Sequence, residues 1–311
     1  MKKSLTILLT LWDRSQYSLN WLENNNYPDY EYFIADGSRG DENFNIFKNE
    51  INKNLNYKRY PYDNSFERYL EKILDAIENI KTPYVMISDN DDFINQNGIN
   101  ACLTYLNKNS NIDFISGNIH FVSESKKKFI FLDQFYNFKD LDNDNFNNNL
   151  WSMINPYKYV WYSIYRVDLF KKIWHQIKKS KNRNFYTMEI FQSQLSLLLG
   201  KFKYLNTCHY IRRTNPITRV KEEEISNEFD FIKTWIKNNG YLNKIYNVDD
   251  KILREILAHY LLHYKKLNIK YETEKKYDKY SFQKRLQKIY FFFKKFEINE
   301  IRNLINDNYK D

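Results

Sequence analysis

Along the first ninety residues the apolar positions switch repeatedly between an unbroken run and a helical stripe. Residues 5–11 (Leu-Thr-Ile-Leu-Leu-Thr-Leu) are almost continuously apolar, which suits a strand covered on both faces, as in a parallel sheet. Residues 15–24 predict a helix with Tyr17, Leu19, Trp21 and Leu22 on or near its buried side. Residues 31–35 predict a second strand, ending at the turn cluster Asp36-Gly37-Ser38. A helix over 41–53 follows, with Phe44, Phe47 and Ile51 on one face, then a short strand over 55–60. Residues 65–80 carry the clearest amphipathic pattern: Phe66, Tyr69, Leu70, Ile73, Leu74 and Ile77 recur at steps of three and four behind Ser65, a good N-cap. Thr82-Pro83 ends that helix, and Tyr84 to Ser88 is a fourth apolar strand. Strand and helix in alternation predict an α/β domain around a mostly parallel central sheet flanked by helices.

The pattern then loosens. Strands are expected around Phe114-Ile115 and over 128–132, a surface loop over 133–150 and an aromatic strand over 159–165. Helices at 167–179 and 187–199 precede a last strand at 202–209. Beyond residue 221 the pattern is helical, at 222–238, 249–267, 281–294 and 297–306. We therefore expect a catalytic domain over 1–220 and a helical C-terminal appendage over 221–311.

Bulk properties narrow the class only modestly. The 311 residues are 42% hydrophobic, enough for a sizeable core, and no run of about 18 apolar residues predicts a membrane-spanning helix. Cys102 and Cys208 are too few and too far apart for a disulfide framework or a thiolate metal site. The N-terminus lacks a small-residue cleavage site after its apolar run, so a first strand is expected rather than a leader, with a cytoplasmic location. The net charge is +9, of which +7 falls in residues 251–311. Within that region the basic, aromatic stretch 281–295 suits either peripheral contact with the inner face of an anionic membrane or packing on the main domain. No nucleic-acid partner is expected.

The acidic segment Asp89-Asn90-Asp91-Asp92 carries the most chemistry. Ligands of open α/β sheets bind beyond the carboxyl ends of strands, and both Asp36 and Asp89 fall at such ends. Three carboxylates within four residues repel one another unless a cation relieves them. Mg²⁺ and Mn²⁺ take oxygen ligands from carboxylates and substrate phosphates, and assist a leaving diphosphate as Lewis acids. Without the strand before them, the same four residues would read as a polar turn.

Three segments in order resemble the inverting GT-A glycosyltransferases of family 2. Thr6 to Arg14 resembles the family's opening strand, which ends in an aromatic, an amide and an arginine. Ile34 to Asp41 resembles its Asp-Asp-Gly-Ser turn, with Ala35 in place of the first acid. Tyr84 to Phe93 resembles its Asp-x-Asp-Asp segment. The resemblance implies a GT-A fold and a nucleotide site built from Trp12, Asp13, Arg14, Asp36, Arg68 and Asp89. It implies Asp91 as the main ligand of Mn²⁺ or Mg²⁺, with Asp89 beside it. Trp12 also reads as core, and Arg68 as a solvated helix residue.

An inverting transfer needs a carboxylate to take the acceptor's proton. By resemblance Glu189 holds that place, although the family's Glu-Asp pair is reduced here to one acid. Alternatively, Glu189 only complements a helix dipole. Trp161 and Tyr162 fall where the family lines its acceptor site, and read equally as core. His209 is a candidate further metal ligand, and Arg212-Arg213 beside it candidates for the diphosphate. The expected activity is transfer of a hexosyl group from a UDP-sugar or similar donor to a glycan or lipid-linked glycan, in capsule or lipooligosaccharide synthesis. The alternatives are a nucleotidyl- or phospho-group transferase, or a non-catalytic carbohydrate-binding protein on the same frame.

Overall fold

The computed structural model describes residues 3–50, 54–125, 128–141, 145–154, 158–182, 184–214, 228–257 and 260. Among these, nine strands form one sheet. They are β1 (Leu5–Leu11), β2 (Glu31–Asp36), β3 (Leu55–Arg59), β4 (Tyr84–Ser88), β5 (Phe93–Ile94), β6 (Phe114–Ser125), β7 (Lys128–Tyr136), β8 (Ile164–Arg166) and β9 (Phe202–Thr214). The order is β3-β2-β1-β4-β8-β6-β9-β5, with β7 paired to β6. The helices are α1 (Ser15–Asn25), α2 (Glu42–Phe47), α3 (Phe66–Glu78), α4 (Gln96–Lys108), α5 (Phe146–Ile154), α6 (Val167–Ser180), α7 (Phe185–Leu199) and α8 (Glu228–Tyr246).

The first half follows the apolar pattern closely. β1, β2, β3 and β4 pair in parallel, with β1 between β2 and β4. Leu5, Ile7, Leu8, Leu9 and Leu11 are fully buried, as a strand covered on both faces requires. α3 begins behind Ser65, whose side chain accepts from the Arg68 N–H at 3.3 Å, and buries Phe66, Tyr69, Leu70, Ile73 and Ile77. α1 differs in detail. It buries Tyr17, Ser18, Trp21 and Asn25, while Leu19 is exposed. α2 buries Phe47 and exposes Phe44.

The second half departs from the pattern. The sheet turns mixed there: β4 pairs β8, β8 pairs β6, β6 pairs β7 and β5 pairs β9 antiparallel, while β6 and β9 run parallel. The expected loop over 133–150 instead contains the end of β7, a 3-10 turn (Lys139–Leu141) and α5. The aromatic stretch 159–165 enters a strand only at Ile164, although Tyr159, Val160, Trp161 and Tyr162 are all buried. Their apolarity reflects core packing rather than sheet pairing. α4 was not anticipated. It packs against β9 so closely at Gly98 that a Cβ there would sit 1.8 Å from the Cys208 carbonyl oxygen.

α8 packs back on the sheet-bearing part of the chain, with Tyr241 edge-on to Phe191 at 6.1 Å and its hydroxyl donating to Gln176 Oε1 at 2.6 Å. Residues 250–257 are also helical. The expected helices at 281–294 and 297–306 lie outside the described residues, as does the basic stretch 281–295. Both cysteines are free, with Cys102 buried. No helix among the described residues is long and apolar enough to cross a membrane.

Candidate active site

β4 ends in Ser88, and the chain turns at once. Asp89, Asp91 and Asp92 can thus each bring a carboxylate oxygen within 4.8 Å of the others. The intervening Asn90 anchors the turn: its Nδ2 donates to the Arg14 carbonyl and to Ser18 Oγ, both at 3.0 Å. Burial, then the charge of Asp91, raises the carboxyls of Asp89 and Asp92, that of Asp92 well above its ordinary value.

Each carboxylate has its own partner. The Tyr162 hydroxyl donates to Asp89 Oδ2 at 2.6 Å, and its ring stacks on Tyr210 at 4.2 Å. Asp92 Oδ1 accepts from the Arg213 backbone N–H at 2.9 Å, and Arg212 Nε lies 3.9 Å from its other oxygen. Asp91 is gripped by both ends of the Arg14 guanidinium: Nη1 and Nη2 each donate to one oxygen at 3.0 Å. Such a bidentate, charge-assisted fork is among the stronger side-chain pairings of a carboxylate.

The turn that aims Arg14 is strained. Asp13 and Arg14 lie in succession in the left-handed region, at φ 57° and 56°, which non-glycine residues rarely adopt. Several bonds hold them there. The Asp13 N–H donates to Ser38 Oγ (2.8 Å), Asp13 Oδ1 accepts from the Arg39 N–H (2.7 Å) and Asn43 Nδ2 donates to the Asp13 carbonyl (3.2 Å). Persistent strain of this kind clusters at binding and catalytic sites.

Asp36, at the end of β2, is fully buried. It accepts from the Ser38 N–H at 2.8 Å, from Arg59 Nη1 at 3.1 Å and from the Tyr57 hydroxyl. The cation that reaches Asp36 is thus Arg59 of β3. Arg68, expected to reach the nucleotide, lies exposed on α3 and pairs with Glu71 at 3.2 Å. Beneath this corner Lys72 and Asp63 form a fully buried ion pair, and Lys72 Nζ also donates to the Leu11 carbonyl at 2.8 Å. The Asp63 carboxylate sits against Gly37, where a Cβ would lie 2.4 Å from it, so the turn after β2 admits only glycine without rearrangement.

Trp12 leaves the end of β1 and stacks on Phe185 at 5.3 Å, which brings the first turn of α7 to this edge of the sheet. Glu189 lies four residues on, hence on the same face of α7. Burial, then the charge of Asp89, pushes its pKa up to about 8. Among the described residues no side chain forms an ion pair or hydrogen bond with its carboxyl. Tyr69 lies nearby, its phenol raised well above the ordinary value by burial and by Asp89.

Two expectations need correction. Both ring nitrogens of His209 face backbone carbonyls, Nε2 that of Tyr162 at 3.0 Å and Nδ1 that of Asn118 at 3.2 Å. Burial lowers its pKa to about 4. A ligand needs a lone pair turned to the ion, so His209 is a structural cross-link rather than a metal ligand. Trp161 is buried with its ring 5.7 Å from that of Trp174, and Tyr162 is buried against Tyr210, so neither offers a face to an acceptor sugar. The residues not anticipated are Tyr210, Arg59 and Phe185; Asp92, read from sequence only as one of three clustered acids, joins the converging carboxylates. Tyr210 and Arg212 alternate along β9, a period-two signal that points both to one face.

No protein-family model matches the chain, and no curated protein matches it in sequence. Solved structures do. S. aureus TarS 1–349 aligns with a TM-score of 0.57 at 13% identity, over 83% of this chain and 70% of that one. The same protein in complex with UDP-GlcNAc aligns at 0.58 and 14%, over 83% and 71%. Its complex with UDP aligns at 0.52 and 15%, over 83% and 70%. At this identity the likeness establishes the fold alone, a GT-A α/β architecture.

Proposed function

We propose that the chain is a metal-dependent, inverting glycosyltransferase that moves a sugar from a UDP-linked donor to a hydroxyl of a glycan or lipid-linked glycan. The observation that carries this reading is the convergence of Asp89, Asp91 and Asp92 beyond β4 on a GT-A frame. The likeness to a protein solved with UDP-GlcNAc and UDP supports the donor class.

The residues suit Mg²⁺ or Mn²⁺. All three are hard oxygen donors, and their mutual repulsion in a buried setting is a cost that a cation would relieve. Asp91 and Asp89 would hold the ion, which supplies Lewis-acid stabilisation of the departing diphosphate. The protein's own groups do the rest. Trp12 offers an indole ring beside the base position, and Asp36 a carboxylate fixed by Arg59 and Tyr57. Tyr162 orients Asp89. Glu189, in its ionised form, accepts the proton of the acceptor hydroxyl as that oxygen bonds to the anomeric carbon. The bond from that carbon to the diphosphate oxygen breaks, and its electron pair leaves with the UDP.

Thermal-shift titration of UDP and UDP-GlcNAc, with and without Mn²⁺, tests this. Stabilisation by nucleotide that increases with Mn²⁺ and is lost in Asp91→Ala is expected. Absence of any shift with every nucleoside diphosphate would sink the reading. Donor turnover then separates a transferase from a carbohydrate-binding protein.

A further inference from the structure

We propose that Arg14 competes with the divalent ion for Asp91, so that the ion is taken up with the donor diphosphate and only weakly before it. The proposal rests on the metal-dependent reading above.

The three carboxylates are not partnered alike. Asp89 is held by a neutral phenol, and Asp92 by a backbone N–H with the Arg212 Nε only at 3.9 Å. Asp91 alone has both oxygens bound to a full cation, at 3.0 Å each. A divalent ion on the same carboxylate would stand within a few ångströms of that guanidinium, in a buried setting where like charges repel strongly. The two cations therefore exclude one another at Asp91.

The charge balance points the same way. At most −3 from the three carboxylates stands against +2 from Arg14 and Arg212. A divalent ion alone would therefore leave an excess of positive charge. An ion arriving with a diphosphate would not, because the diphosphate brings at least two negative charges of its own. A guanidinium fork released from a carboxylate fits phosphate oxygens with the same bidentate geometry.

The placement of Arg14 is built in. Its backbone is fixed at φ 56° by Asn90 on its carbonyl and by the bonds that hold Asp13. Its side chain remains partly open to solvent, at 24% exposure, whereas Asp91 is at 7%. On the other side of Arg14 lies a cleft of about 340 Å³, lined also by Ser15, Ser38, Gly40 and Asn43, which leaves the fork room to move. The root is held by hydrogen bonds and the head borders an open cleft, as an exchangeable counter-ion requires.

Binding of Mn²⁺ to the full chain, followed by electron paramagnetic resonance with and without UDP, tests the competition. The wild type should bind Mn²⁺ weakly alone and at least about tenfold more tightly with UDP, within the 5–150-fold span usual for coupled sites. Arg14→Gln should bind nucleotide-free Mn²⁺ about tenfold more tightly than the wild type, with a smaller further gain from UDP. Arg14→Lys, which keeps the charge without the fork, should fall between. As a check independent of affinity, Mn²⁺ alone should raise the thermal midpoint of Arg14→Gln by more than that of the wild type. Equal or weaker nucleotide-free binding by Arg14→Gln, with UDP binding intact, overturns the competition and leaves the proposed function standing. Absence of Mn²⁺ binding in every form, even with UDP, removes the metal-dependent reading and this inference together.

Discussion

Asp91 and Glu189 are both acids near the carboxyl ends of the parallel strands, yet the protein meets their charges in opposite ways. Asp91 sits in a dense web: Arg14 grips both its oxygens, Asn90 pins the Arg14 carbonyl, and Asp89 and Asp92 flank it with partners of their own. Glu189 has no such partner among the described residues, and burial with the charge of Asp89 holds its pKa near 8. Carboxylates crowded together, two of them raised by burial and by Asp91, suit a site that a cation completes. An unpaired, desolvated one suits a group that must accept a proton near neutral pH.

The largest test of this contrast is Asp91→Ala. Loss of the proposed metal ligand should reduce transfer by roughly 10³-fold, about 4 kcal/mol of barrier, as measured by initial rates with UDP-sugar donor. Residual activity close to wild type would place the ion elsewhere.

Glu189→Gln should lower turnover by roughly 10²–10⁴-fold while leaving the affinity for UDP unchanged by calorimetry. A weakened UDP affinity would move Glu189 to the donor side and erase the distinction between the two acids.

The pH dependence sharpens the same point. As the proposed base, Glu189 acts only when ionised, so activity should rise with pH toward a plateau above about 8, a limb missing in Glu189→Gln. For stability the sign runs opposite. The folded pKa is raised above the ordinary glutamate value of about 4.5, so the folded state holds this proton more tightly than the unfolded chain does. Glu189 should therefore cost progressively more stability as pH rises from about 4.5 to about 8, and Glu189→Gln should relieve that cost. Thermal midpoints of the two proteins across that range would show the gap widening with pH, and a constant gap would contradict it.

His209→Ala should cost about 1–3 kcal/mol of stability, through the buried carbonyl left without its imidazole N–H, and leave Mn²⁺ affinity unchanged. The smallest effect is expected from Arg68→Ala, within about 0.5 kcal/mol in stability and without kinetic consequence, because its ion pair is exposed.

How far the sequence could be read follows from how local each feature is. The strands at 5–11 and 84–88 and the helix after Ser65 are written in local periodicity, because a buried parallel strand is apolar throughout and a surface helix is striped. The stretch 159–165 misled because apolar residues fill the core whether or not their backbone joins a ladder. α4 escaped because Gln96, Asn97 and Gly98 dilute its apolar stripe at the start, and what secures it is close packing on β9, some 110 residues away. Among site residues, the acidic cluster was legible as strand followed by carboxylates. The partners Tyr162, Arg59 and Arg213 were not legible in those roles, because they come from distant strands and loops.

By itself the sequence determined the α/β alternation of the first half, the position of Asp36 and Asp89 at strand ends and the clustering of three acids behind β4. These depend on chain order and side-chain period alone. Only the tertiary structure decided which cation meets which acid. It set Arg14 on Asp91 and Arg59 on Asp36, turned His209 to backbone carbonyls and left Glu189 without a partner among the described residues. Electrostatic pairing and desolvation depend on distances through space, and here those distances are set by the packing of β9, α7 and the strained Asp13-Arg14 turn around one edge of the sheet.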